Sequence, residues 1–126
     1  MDLPEQQLMW AVQALAQPAD VQPTLFPPFV VAADELALDF DHWREVAEGA
    51  VGASWSQGQR SALAALDRML AEMSEPGEPE LWLGDECLRH PQWSEVRQLA
   101  QAVLSAFGWP AGLPPEGRAA YVSGSG

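Results

Sequence analysis

A chain of 126 residues and 13.7 kDa is sized for one compact domain and, with 48% hydrophobic and 19% charged residues, has enough apolar material to fold unaided. Eighteen Asp and Glu against six arginines and no lysine give a formal charge of -12, which disfavours binding to phosphate backbones or anionic lipid because both depend on clustered Lys and Arg. No run reaches the roughly 20 apolar residues of a membrane span, the opening Met1-Asp2-Leu3-Pro4-Glu5 lacks the basic start of a secretion signal, and the single Cys87 rules out an intrachain disulfide framework, so a cytoplasmic protein is expected.

The first helix is expected from about Leu3 to Gln17, with Leu8, Ala11, Val12 and Leu15 at helical spacing, an Asp2/Glu5 capping box at its start and Pro18 at its end. From Pro18 to Ala33 the apolar run Leu25-Phe26-Pro27-Pro28-Phe29-Val30-Val31 is too rich in proline for a helix and too apolar to float free, which predicts a proline-broken belt laid across the core. Val30 to Ala32 has the composition of a short strand, for which Ala119 to Val122 is the best available partner, a minor two-stranded pairing of 29–32 with 119–122.

Asp34 reads as the N-cap of a second helix running to about Glu48, with Leu36, Phe40, Trp43 and Ala47 on one face and Gly49 as its stop. Ser56 and Gln59 form an S-x-x-Q capping box for a third helix to about Met73, whose Leu63, Leu66, Leu70 and Met73 recur at 3-4-3 spacing. After a turn-rich link from Ser74 to Pro79, Leu81-Trp82-Leu83 anchors the chain and a short helix follows to Arg89. Pro91 opens the last long helix, striped by Trp93, Val96, Ala100, Val103 and Phe107, and Gly108 followed by Trp109 matches a Schellman close.

These elements predict an all-α protein: a small single-domain bundle of four to five helices over 1–110, with 111–126 an extended or disordered tail whose Ser123-Gly124-Ser125-Gly126 end resembles a linker. The third helix keeps a/d spacing for only about three turns, too few for a dimeric zipper.

Chemical motifs are few. Asp39 and His42 stand three residues apart, Glu86 and His90 four, and Cys87 precedes His90 by three, so Asp39, His42, Cys87 and His90 make a conceivable zinc set without the specificity of a paired C-x-x-C or E-x-x-H. The competing reading of His90 is local: it precedes Pro91 at a helix start, where its ring can accept from free backbone N–H groups. Cys87 beside Leu88 has the pattern of a buried small hydrophobe rather than a nucleophile. Neither a G-x-S-x-G elbow, a phosphate loop nor an H-E-x-x-H motif occurs, so no cofactor and no catalytic residues are expected.

What is distinctive is acid together with tryptophan. Glu72, Glu75, Glu78, Glu80, Asp85 and Glu86 form a run without a basic residue, and Asp34, Glu35, Asp39, Asp41, Glu45 and Glu48 surround the second helix with only Arg44 to offset them. Of six tryptophans, Trp43, Trp93 and Trp109 fall on core faces, whereas Trp10, Trp55 and Trp82 do not. Aromatic anchors inside a charged rim describe many protein interfaces. The expectation is therefore a non-catalytic module that binds, and in an immunity-protein or antitoxin role inhibits, a basic partner through Trp82, Trp55, Glu75, Glu78, Glu80, Asp85 and Glu86. A DNA mimic, with carboxylates in place of phosphates, is a variant of this reading. Two alternatives belong to other classes: an adaptor or structural subunit docking through the belt at Leu25 to Val31, and a metal-dependent enzyme using His42 and His90.

Overall fold

The computed structural model describes residues 2–75 and 79–115. It contains four long helices, α1 (Leu3–Ala16), α2 (Ala32–Val51), α3 (Gln57–Met73) and α4 (Pro91–Phe107), joined by short 3-10 turns, and no strand among the described residues. The chain is a small all-α helical bundle, as its periodicity predicts. α1 packs against α2 on one side and α4 on the other, α4 also packs against α3, and all four helices feed one hydrophobic core. Leu8, Val12, Leu36, Phe40, Leu66, Met73, Trp93 and Val96 are fully enclosed within it.

The ends of the helices show how far local chemistry decides the fold. Both halves of the α3 capping box form: Gln59 N–H donates to Ser56 Oγ at 3.1 Å and Ser56 N–H donates to Gln59 Oε1 at 2.8 Å. α4 closes as a Schellman motif, with Gly108 at φ 69, Gly108 N–H on the Ser105 carbonyl and Trp109 N–H on the Leu104 carbonyl at 2.9 Å.

Other boundaries differ from expectation. Asp2 precedes α1 but its side chain makes no capping bond. α2 begins at Ala32, with Val31 before it and Asp34 inside its first turn, because burial of Ala32 and Ala33 against the core draws the helix upstream of the polar cap. Asp34 still complements the positive end of the helix dipole there. α2 also passes through Gly49 and stops at Gly52. Since Ala32 is helical, the proposed strand at 29–32 does not form, and its partner segment, 119–122, lies outside the described residues.

The belt is neither wholly inside nor wholly free. Gln22–Leu25 winds as a 3-10 turn and Phe26 is buried, whereas Phe29 is 77% exposed. Three buried glutamines organise this region. Gln22 donates from Nε2 to the carbonyls of Ala14 and Leu15, satisfying orphan acceptors at the end of α1. Gln13 donates to the Pro110 carbonyl at 2.8 Å and Gln17 to the Gly112 carbonyl at 3.2 Å, so the chain beyond α4 runs back along α1. Pro114 is buried while 111–113 and 115 are exposed, so the stretch after α4 is held to the bundle at Gly112 and Pro114.

Candidate functional site

Beyond α3 the chain is tied down by two indoles. Trp82 Nε1–H donates to the Met73 carbonyl at 2.8 Å, and Trp93 Nε1–H donates to the Leu81 carbonyl at the same distance. The two rings meet edge to face, 5.4 Å between centroids, and Leu81 is fully enclosed below them. With Leu81 inward and Trp82 committed to the core, Leu83 is left 66% exposed. Gly84 then turns at φ 72, a backbone conformation that disfavours any side chain. The 3-10 turn Asp85–Arg89 buries Cys87 and Leu88, and Arg97 fixes it by donating to the Leu88 carbonyl at 2.7 Å.

This scaffold holds Glu80, Leu83, Asp85 and Glu86 at the surface, with Glu75 exposed before them. Two shallow recesses flank Glu86 and Arg89. One, about 420 Å³, includes Glu80, Leu83, Cys87 and His90 in its wall; the other, about 470 Å³, reaches Ala19, Asp20, Pro23 and Asp85. Burial pushes the Cys87 thiol up to about 11, reinforced by the carboxylates of Asp85, Glu86 and Asp34. α2 packs against the Asp85–Arg89 turn, which brings the charge of Asp34 to bear on Cys87 from a distant part of the sequence. Glu35 next to them is held above its ordinary range by burial and by Asp39 and Asp34.

The expected site residues are thus divided. Glu75, Glu80, Asp85 and Glu86 are exposed, and Glu78 lies outside the described residues. Trp82 is half-buried and hydrogen-bonded to the core, so it supports the face rather than projecting from it. Trp55 is 8% exposed and packs edge to face on Phe107 at 5.6 Å, a core side chain after all. A 3-10 turn at Gly52–Ser54 carries it there, and Arg60 fixes that turn by donating to the Gly52 and Trp55 carbonyls. Trp43, Trp93 and Trp109 join the core as their spacing implies. The residue that sequence reasoning passed over is Leu83; the 3-10 winding at Pro79–Trp82, in which residues two apart point in different directions, turns Leu81 inward and leaves Leu83 outside, and no local motif marks it.

The chemistry available here is limited. Among the described residues, no group of three or more His, Cys, Asp and Glu is arranged to hold a metal ion, so Asp39, His42, Cys87 and His90 do not assemble into the zinc set their spacing allowed. His90 instead caps α4, its Nδ1 accepting from Gln92 N–H at 3.1 Å. His42 rests edge to face on Trp43. With its thiol protonated near neutral pH, Cys87 is a poor nucleophile. No described helix is long and apolar enough to cross a membrane.

No family model matches the chain, and neither a curated protein nor a solved structure matches it.

Proposed function

We propose that this protein is a non-catalytic interaction module whose acidic face, centred on Leu83, binds a basic protein. The observation that carries the reading is a leucine, 66% exposed on a hydrogen-bonded scaffold, in a shallow recess whose wall also holds Glu80 and Glu86, with Asp85 exposed on the same turn. An apolar anchor within a charged rim is how interfaces combine affinity with specificity, and complementary charge speeds encounter with a cationic partner. Arg89 within the same face offers one site for a partner carboxylate and helps to set orientation. In its concrete form the module covers the active site of a basic toxin, as immunity proteins and antitoxins do, within the cytoplasm.

The test uses side chains with no part in the core. A Glu75→Arg, Glu80→Arg, Leu83→Ser variant should melt within a degree or two of the parent, since each site is exposed, yet lose its basic partner. Retention of the partner by a folded variant would refute the assignment. A second reading, docking through the belt, draws support from Phe29, 77% exposed, and Val31, 41% exposed; Phe29→Ser then abolishes association instead.

A further inference from the structure

α2 and α3 lie side by side without the close packing that joins α1 to α2 and α3 to α4. They are linked at one end through Arg44, whose Nε lies 3.5 Å from Asp67 Oδ1 and whose Nη1 donates to Glu48 at 2.9 Å. From there a groove of about 280 Å³ opens toward Ser74, with Leu38, Leu70 and Ala71 among its apolar walls and Asp41 and Asp67 at its edge. Leu38 is 62% exposed although it stands beside the fully enclosed Phe40.

We infer that this groove receives an amphipathic helix of a partner protein, with an apolar ridge inserted between α2 and α3 and arginines or lysines on its flanks. The groove lies open along the helices and does not enclose a small molecule as ligand pockets do. One or two large apolar side chains presented at helical spacing suit it better. Charge selects the occupant. α2 carries Asp34, Glu35, Asp39, Asp41, Glu45 and Glu48 against Arg44 alone, so a cationic helix is attracted, whereas a second copy with its own charge of -12 would set like charges face to face. This inference goes beyond the acidic face around Leu83 and stands or falls separately from it.

The experiment uses the full chain, isotopically labelled, titrated with three synthetic peptides and followed by amide chemical shifts. The first is a helical peptide with leucines at i, i+4 and i+7 and arginines beside them; the second has the same composition with the leucines dispersed; the third is oligo-arginine. The amphipathic peptide should bind at least tenfold more tightly than its isomer and shift the amides of Leu38, Asp41, Ala71 and Ser74. Leu38→Glu and Ala71→Glu, both at exposed positions, should each remove that preference while leaving the response of residues 80–89 to oligo-arginine intact. Equal affinity for the two isomers, shifts confined to residues 80–89, or binding that survives both substitutions would overturn the groove assignment. An oligo-arginine peptide that leaves residues 80–89 unmoved would count against the acidic face instead.

Discussion

Two tryptophans of this core differ in a way that a substitution can read. Trp93 is fully enclosed and its indole N–H satisfies the Leu81 carbonyl, so Trp93→Phe removes buried volume and orphans an acceptor, a loss of about 3 kcal/mol. Trp55 is also buried, but its Nε1–H has no partner, so Trp55→Phe relieves a desolvated donor and should cost at least about 1 kcal/mol less; chemical denaturation of the two variants measures the gap. Cys87 yields a pH prediction. Its thiol is raised from 9.0 to about 11, so the folded state holds its proton through a range in which the unfolded chain releases it. This contribution to stability is intact below about pH 9 and is lost as pH rises toward about 11, and the difference in melting temperature between the parent and Cys87→Ala should change across that window. The same shift lowers the thiolate fraction by about a hundredfold, so alkylation at mildly alkaline pH should be far slower in the native than in the unfolded protein. Glu35 has the same sign at the acid end: its raised pKa marks a carboxylate disfavoured when charged, so Glu35→Gln should raise the melting temperature at neutral pH, with the advantage vanishing below about pH 4.5.

At the scale of the element, glycines separate what a helix tolerates from what it requires. Gly49 sits inside α2 with nothing within 4 Å of where a Cβ would stand, so Gly49→Ala should stabilise by roughly 0.5–1 kcal/mol. Gly108 also has open space, but its φ of 69 makes Gly108→Ala destabilising by about 1 kcal/mol; thermal melts of the pair should move in opposite directions. The same contrast explains what was legible beforehand. The α3 capping box and the α4 close rest on bonds between residues within a few positions of each other, and Ser56, Gln59 and Gly108 announce them directly. The start of α2 was misplaced at Asp34 because its true beginning depends on Ala32 and Ala33 packing against distant residues, which no local motif records. Gln13, Gln17 and Gln22 were silent for the same reason: their partners at Pro110, Gly112, Ala14 and Leu15 are set by the way the chain returns.

For the whole molecule, the bundle and the acidic surface were both readable from composition and periodicity, but the arrangement of the site was not. Glu75, Glu80, Asp85 and Glu86 are exposed, whereas Trp55 and Trp82, read as outward because neither falls on the core face of a helix, are drawn inward by a 3-10 turn and by an indole hydrogen bond that only the tertiary fold sets. That Asp34 adds its charge to those of Asp85 and Glu86 at Cys87 is a property of the tertiary fold alone. Concentrating charge in this way weakens the isolated protein slightly, through repulsion, and favours a cationic partner that relieves it. The most direct measurement is therefore capture from the native host on the immobilised full chain, at low and at high salt, with bound proteins identified by mass spectrometry. A single basic protein, held at low salt, weakened at high salt and lost with the Glu75→Arg, Glu80→Arg, Leu83→Ser variant, is the expected result. Recovery of only the chain itself, or of a partner indifferent to both salt and these substitutions, would contradict an acidic interaction face.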